Sequence, residues 1–201
     1  MSEGLRDRKK LETRKTISDV ATRLFIRNGF EDVTIADIAA EAQVAKMTVT
    51  NHFPRKEDLV FDVREDFAAW PTALIRDSVF HDTRELYFEA LGAKHALVGF
   101  SGPGFVRMIK ESPVLTNALH ELHREREAAL THLLIRRHPE EELGPTLAAA
   151  HLATVLRVLF QEVFDRTLED RTLEDGKAIV DEVWPLAEQA FDQLEPVFGG
   201  Y

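Results

Sequence analysis

Residues 46–52 carry the side chains best suited to binding chemistry: Lys-Met-Thr-Val-Thr-Asn-His. Val49 and Phe53 stand four positions apart, so on a helix they share one face and can anchor it to a core. The other positions are polar apart from Met47, and their hydroxyl, amide, imidazole and ammonium groups can bond to base edges and phosphates. A short helix with two anchors and a polar outer face is typical of a helix that lies in a DNA major groove.

The preceding segment predicts a second helix. Thr34 can cap it, and Asp37 stands three residues later, where a capping partner belongs. Apolar residues recur at helical spacing over about nine residues: Ile35, Ile38, Ala39 and Ala42. Residues 43–45 interrupt the pattern, and the apolar Val44 can plug the angle between two helices. The pair predicts a helix-turn-helix.

The sequence His-Glu-Leu-His-Arg at residues 120–124 is a second candidate for chemistry. The H-E-x-x-H zinc motif needs its second histidine where this chain has Arg124. His120, His123 and Glu127 do share one helical face. We interpret them as ordinary helix residues or as polar groups that line a ligand pocket, and we predict no metal, no cofactor and no catalytic residue.

Composition excludes several classes of protein. The 201 residues include no cysteine, which excludes disulfides, thiol catalysis and Cys-ligated zinc and suits a reducing cytosol. The glycine-rich loop at 99–104 lacks the Lys-Ser/Thr that follows a phosphate-binding loop. No apolar run approaches the length of a membrane span, and residues 1–10 lack an apolar signal core. We therefore expect a cytoplasmic protein that binds no membrane.

The net charge of −10 at first argues against a nucleic-acid partner, but its distribution reverses that argument. Residues 1–60 contain 11 Lys/Arg and 10 Asp/Glu, whereas residues 61–201 contain 14 and 25. The first 28 residues contain eight basic and four acidic side chains. Beside a helix-turn-helix, a basic end on an acidic body favours DNA binding at that end.

The segment from Val44 to Leu59, Val-Ala-Lys-Met-Thr-Val-Thr-Asn-His-Phe-Pro-Arg-Lys-Glu-Asp-Leu, resembles the TetR family of bacterial transcriptional repressors. The resemblance covers roughly residues 10–60 and includes Ala21–Phe25, Asn28–Phe30 and Thr34-Ile35. It implies an all-α fold of about nine helices. A helix-turn-helix DNA-binding domain would span 1–55, and a helical ligand-binding and dimerisation domain would span 56–201.

The resemblance also implies roles for individual residues. Side chains that face base edges would be Lys46, Met47, Thr48 and Thr50. Side chains that face phosphates would be Thr34, Asn51, His52 and Lys56. The chain departs from the family at Gln43, where glycine is usual, and at Thr50 and Asn51, where aromatic residues are usual. A backbone with positive φ would cost Gln43 about 1 kcal/mol.

The rest of the chain predicts further helices. We expect a mobile arm at 1–8, a first helix at 9–28 and a fourth from 55 to Trp70, where Pro71 breaks it. Later helices are predicted at 82–98, capped by Asp82-Thr83, and at 105–110, 112–138, 146–168 and 176–194. The repeated Arg-Thr-Leu-Glu-Asp at 166–175 is predicted to be a polar surface connection.

Two further sites follow from this architecture. We expect an apolar or amphipathic small molecule to bind among helices four to eight, at Phe67, Trp70, His95, Met108, Leu122 and His123. The last two helices carry apolar residues on more than one face, which predicts a homodimer interface or, alternatively, deep burial. The predicted interface residues are Val155, Leu159, Val183 and Phe191.

Two hypotheses of function remain. The first is a homodimeric repressor that binds a palindromic operator and is released by a small-molecule effector. The second is an all-helical enzyme or metal-binding protein with an incidental helix-turn-helix. We favour the first, because no Ser-His-Asp set, nucleotide loop or paired carboxylates support the second. The sequence leaves open the effector, the operator and whether the protein activates transcription instead.

Overall fold

A computed structural model describes residues 3–169 and 176–198, with side chains described at 7–168 and 176–198. In these ranges the fold is all-α, as predicted, with nine α-helices and no strand. The α-helices are α1 (Glu3–Asn28), α2 (Ile35–Glu41), α3 (Lys46–His52), α4 (Arg64–Ala69), α5 (Val79–Gly92), α6 (Pro103–Glu111), α7 (Pro113–Arg137), α8 (Gly144–Glu169) and α9 (Lys177–Leu194). Short 3₁₀ turns occupy Glu57–Leu59, Ala96–Val98 and Glu195–Val197. The predicted connection at 166–175 is helical up to Glu169, and its remainder lies outside the described residues.

The chain divides into two compact units. The first unit comprises residues 1–64 and 107–118, and the second comprises residues 65–106 and 119–201. The end of α6 and the start of α7 therefore belong to the first unit. There the Ser112 hydroxyl donates a 2.9 Å hydrogen bond to the Glu31 carboxylate.

The apolar stripe of α1 forms much of the core of the first unit. Its members recur at helical spacing and are all buried: Ile17, Val20, Ala21, Leu24 and Phe25. Gly29, at φ 90°, turns the chain after α1, and the Phe30 ring packs 5.0 Å from that of Phe25. The predicted mobile arm is wrong from Glu3 onward, because α1 already begins there.

The predicted fourth helix is also wrong as one continuous element. Only the turn Glu57–Leu59 and the short α4 are helical in this stretch. The Ser18 hydroxyl hydrogen-bonds to the Leu59 carbonyl at 3.2 Å and the Asp62 carboxylate at 2.7 Å, and Arg14 donates to the Asp62 carbonyl at 3.4 Å. Side chains of α1 thus take carbonyl groups that a continuous helix would use internally. A single stiff helix after α3 is therefore absent.

The helix predicted at 82–98 begins and ends earlier. Ser78 caps α5, accepting a hydrogen bond from the His81 N–H, whereas the Asp82 carboxylate accepts from the N–H groups of Arg76 and Asp77. The helix ends at Gly92, and Lys94 then adopts φ 55°, a left-handed conformation that helices do not continue through.

The core of the second unit lies between α5, α7, α8 and α9. Gly99, at φ 110°, approaches α8 so closely that an added Cβ would lie 2.6 Å from the Phe160 carbonyl oxygen. This close packing explains a glycine in a loop that lacks the phosphate-binding pattern.

The helix α8 is, at residues 144–168, long and apolar enough to cross a membrane by length and composition alone. The sequence analysis expected no such run. Half of its apolar window is buried inside the protein, a pattern that core helices of soluble proteins share.

Candidate nucleic-acid interface

The start of α2 is fixed by a reciprocal cap. The Thr34 hydroxyl accepts from the Asp37 N–H at 3.2 Å, while the Asp37 carboxylate accepts from the Thr34 N–H at 2.9 Å. The hydrogen bonds from Thr34 lower the pKa of Asp37. The capping box predicted from sequence is confirmed. Gln43, in the turn after α2, has φ 56°, so the conformation that favours glycine is present at this position.

The helix α3 has the inward anchors and outward polar face that its sequence predicts. Val49 is 0% exposed and Phe53, its C-cap residue, is 1% exposed. Four residues are exposed: Lys46, Met47, Thr50 and Asn51. Thr48 and His52 are half-buried. Because α3 contains no Asp or Glu, its outward face presents one cation and several hydrogen-bonding groups without a competing negative charge.

A residue without a role in the sequence pattern holds the end of α3. Arg14, on α1, donates a 2.6 Å hydrogen bond to the His52 carbonyl, and its guanidinium lies 4.3 Å from the centre of the Phe53 ring. A cation at a helix C-terminus satisfies a free carbonyl and opposes the negative end of the helix dipole. Arg14 and His52 are 38 positions apart, so no local pattern could have revealed the contact.

The end of α3 also lies in positive surroundings. Partial burial, followed by the charges of Lys10 and Arg14, lowers the pKa of His52. Both cations come from α1. Burial disfavours any charge at this position, but the positive charges of Lys10 and Arg14 attract a nearby phosphate.

Lys56, predicted to face a phosphate, is engaged within the first unit. Its ammonium group donates to the carbonyl oxygens of Phe30 and Glu31 and lies 4.4 Å from the centre of the Phe30 ring. Partial burial lowers its pKa, and the charges of Glu31 and Asp32 act in the opposite direction. Lys56 therefore secures the turn after α1.

Four of the predicted ligand residues lie buried in the second unit: Phe67, Trp70, Leu122 and His123. The His123 ring meets Phe67 and Phe160 edge-on, with centroids 5.2 and 5.0 Å away. Burial is the main cause that lowers the pKa of His123 to about 3, so the imidazole is neutral at pH 7.

The other two predicted ligand residues lie elsewhere. His95 is exposed and caps the turn Ala96–Val98 through a 3.2 Å hydrogen bond from the Leu97 N–H. Met108 is buried but belongs to the first unit. The structure therefore does not place His95 in the buried aromatic cluster that contains His123.

Sequence analysis also missed Arg126, which is only 1% exposed. Its guanidinium donates to the carbonyls of Phe67 at 3.3 Å and Leu97 at 3.1 Å. It lies 3.7 Å from the Phe67 ring centre and 5.2 Å from that of Trp70. Its position three residues after His123, on the same face of α7, is the one signal in the sequence that could have singled it out.

An open cleft of about 650 Å³ lies between α7 and the segment after Trp70, and Arg126 is not among its lining residues. Its lining residues are Thr72, Ala73, Ala129, His132, Leu133, Ile135 and Arg136. None of the predicted ligand residues is among them. Among the residues that the structure describes, no three His, Asp or Glu side chains are grouped to hold a metal ion.

The predicted dimer residues lie largely in the core of the single chain. Leu159, Val183 and Phe191 are at most 2% exposed, and Val155 is half-buried. They pack against their own unit, so three of these side chains are not on a surface that a second chain could cover. The exposed large apolar residues of α8 and α9 are instead Leu147, Val158, Trp184 and Leu186.

Comparisons with known proteins bear on this geometry. The sequence model described as "Bacterial regulatory proteins, tetR family" matches residues 17–63, which include α2 and α3. The comparison with curated proteins gave no match.

Solved structures resemble nearly the whole chain. A TetR-family transcriptional regulator of Mesorhizobium loti has a TM-score of 0.53 at 20% identity, over 92% of this chain and 97% of that one. NalD, the secondary repressor of the MexAB-OprM multidrug efflux pump in Pseudomonas aeruginosa, has a TM-score of 0.52 at 17% identity, over 91% and 97%. A complex of SmeT with triclosan has a TM-score of 0.50 at 20% identity, over 87% and 91%.

Because the identities are low, the likeness to these structures establishes the fold alone. The match to the sequence model covers the helix-turn-helix. Residues 17–63 thus match the domain described for the TetR family of bacterial regulatory proteins, and the chain has the fold of TetR-family transcriptional regulators.

Proposed function

We propose that this protein is a sequence-specific DNA-binding regulator that represses transcription from a palindromic operator and is released by a small-molecule effector. The outward face of α3 is the main support, because exposed Lys46, Thr50 and Asn51 stand on a helix without acidic residues. Residues 1–55 would bind DNA, and residues 56–201 would bind the effector and dimerise. Base edges would face Lys46, Met47, Thr48 and Thr50, and phosphates would face Thr34, Asn51, His52 and Lys56.

The same proposal makes the protein a cytoplasmic regulator and not an enzyme, since family and fold are those of transcriptional regulators. NalD is a repressor, and SmeT forms a complex with triclosan, a small molecule. NalD supports repression, and the complex of SmeT supports small-molecule binding, for a chain of the same fold.

A homodimer is part of the proposal, because one recognition helix reads too few base pairs to select a site in a genome. Exposed Val158 on α8 and exposed Trp184 and Leu186 on α9 offer apolar surface for a second copy. Two DNA-binding domains related by a twofold axis would bind half-sites about one turn of the DNA helix, roughly 34–36 Å, apart.

Selection of bound DNA from a random pool, at stated salt, tests the proposal. The expected result is an inverted repeat that the full-length protein binds as a dimer, with a dissociation constant at least about 10³-fold lower than for unrelated DNA. A variant with Lys46 and Thr50 both changed to alanine should lose this preference. Recovery of no common sequence, or a protein that sediments as a monomer at micromolar concentration, would contradict the proposal.

A further inference from the structure

Arg126 is a buried cation without a carboxylate partner among the residues that the structure describes. Its two hydrogen bonds, to the carbonyls of Phe67 and Leu97, use two of the five N–H groups of a guanidinium. The rings of Phe67 and Trp70 cover it. Burial lowers the pKa of Arg126 to about 9, with no acidic side chain to oppose the shift. An unpaired buried charge is costly, and proteins normally pair it.

The surroundings of Arg126 favour an acid as its missing partner. The nearby rings of Phe67, Trp70, Phe160 and His123 are uncharged or neutral, so they offer apolar contact and no competing anion. In a site of this kind, a guanidinium binds a carboxylate through two parallel N–H···O bonds.

The open cleft supplies room for the body of such an acid. Ala129 and Leu133, on one wall, follow Arg126 along the same face of α7, and Leu133 is about 10 Å further along the helix axis. Thr72 and Ala73, on the other wall, directly follow Trp70 and Pro71. Arg136 lies at the cleft and no acidic side chain lines it, so the local charge attracts an anion.

We propose that the second unit binds an amphipathic monocarboxylic acid, with its carboxylate on the Arg126 guanidinium and its apolar body in the cleft between α7 and residues 72–73. This inference rests on the proposed function only in taking the acid to be the effector. The competing interpretation is that Arg126 is a structural clamp, which ties the end of α4 and the turn at Ala96–Val98 to α7 through the two carbonyls.

Calorimetric titration of the full-length protein without DNA tests the site. The probes are octanoate and 4-phenylbutyrate, each paired with its primary amide, which has the same skeleton but no charge. The wild-type protein should bind at least one acid about tenfold or more tightly than its amide. Arg126→Met should abolish that preference, whereas Arg124→Met, an exposed arginine two positions earlier on α7, should keep it.

Two further measurements keep the test decisive. Arg126→Lys, which keeps the charge without the planar fork, should retain a reduced preference if Arg126→Met does not fold. Thermal unfolding without any probe should show Arg126→Met as stable as the wild type or more so, because an unpaired buried charge is removed. A large loss of stability with unchanged preference for the acid would establish the clamp instead.

Equal binding of acid and amide by the wild type, or no binding of either acid, would overturn the inference. DNA binding is measured separately. Acid binding that leaves DNA bound would overturn effector release while the site stands. DNA binding without any preference for an acid would overturn the site while the proposed DNA-binding function stands.

Discussion

The guanidinium of Arg14 on α1 donates to the carbonyl oxygen of His52, the last residue of α3, at 2.6 Å. The same guanidinium covers the Phe53 ring, the second anchor of α3. One side chain thus fixes both the end of α3 and the residue that attaches it to the core. The orientation of α3 is consequently set by α1 as much as by the turn at 43–45.

Replacing Arg14 with methionine keeps an apolar stem and removes the charge-assisted hydrogen bond. We expect the free energy of unfolding to fall by about 2 kcal/mol. Affinity should fall by a similar factor for every DNA sequence, because the variant misplaces α3 without changing its outward face. Urea unfolding and fluorescence anisotropy measure the two effects. Arg23→Met, exposed on the same helix, is the control, and an equal loss of stability in it would contradict the role of Arg14.

Thr50 and Asn51 are adjacent, exposed and assigned different roles. Thr50→Ala should change which bases are preferred, and the discrimination at the affected base pair should change by about 1–3 kcal/mol of binding free energy. Asn51→Ala should weaken binding to all sequences alike, because contacts to phosphates carry no direct sequence information. Repeating the DNA selection with each variant separates the outcomes. The same shift in preference in both variants would refute the division of roles.

Lys56 secures the turn after α1 through two carbonyl oxygens, so its replacement should lower the stability of the fold, whatever its effect on DNA affinity. We expect Lys56→Met to lower the free energy of unfolding by about 1–2 kcal/mol. Lys46→Met, which removes an exposed lysine from α3, should leave it within about 0.5 kcal/mol. Urea unfolding at one salt concentration compares them. If Lys56→Met were as stable as the wild type but bound DNA more weakly, the role in the turn would be refuted and a contact with phosphate would remain.

His123 should make stability depend on pH. Its pKa falls from 6.5 to about 3 on folding, mainly through burial and then through Arg126, Arg157 and His120. Between these values the unfolded state binds more protons than the folded state, so the free energy of unfolding rises with pH. The stability that His123 contributes is present above about pH 6.5 and is lost as the pH falls below that value. From pH 7 to pH 5.5 the loss from this residue is about 1 kcal/mol.

Comparison of the wild type with His123→Gln at both pH values isolates that contribution from other titrating groups. The variant should lose about 1 kcal/mol less than the wild type over this interval. His151→Gln, an exposed histidine on α8, provides the matched control. Parallel pH dependences of His123→Gln and the wild type would show that His123 does not cause the effect.

Gly99 has no room for a side chain. Gly99→Ala would place its Cβ 2.6 Å from the Phe160 carbonyl oxygen at a left-handed backbone position, so the loop or α8 must move. We expect a loss of at least about 2 kcal/mol in the free energy of unfolding. Gly102→Ala, three residues later, meets no atom within 4 Å and should stay within about 0.5 kcal/mol of the wild type. Thermal unfolding of both variants decides the matter.

The features that sequence predicted well depend on neighbours within one or two helical turns. The cap of Thr34 by Asp37 joins residues three apart, and the stripe of α1 repeats at helical spacing. The roles of Arg14, Lys56 and Arg126 rest on contacts 26 to 59 positions apart, to His52, Phe30 and Phe67 respectively. Charge and polarity alone mark such residues as surface groups, because composition does not show where a distant carbonyl will lie.

The failed prediction of a continuous fourth helix has the same cause. Residues 55–70 have no internal proline or glycine, so local preference alone favours an uninterrupted helix. Ser18 and Arg14, more than 40 positions away from their partners Leu59 and Asp62, bind the carbonyls instead. Tertiary hydrogen bonds override a weak local preference, and the helix divides into a turn and a short α4.

The bond between Ser112 and Glu31 also bears on how this protein can be recombined with its relatives. Residues 107–118 are part of the first compact unit although they follow residue 64 by more than forty positions. A chimera that joins only residues 1–64 to the second unit of another protein would leave the first unit without residues 107–118. An exchange of the whole first unit therefore needs three junctions, after residue 64, before residue 107 and after residue 118, so that both of its segments are transferred together.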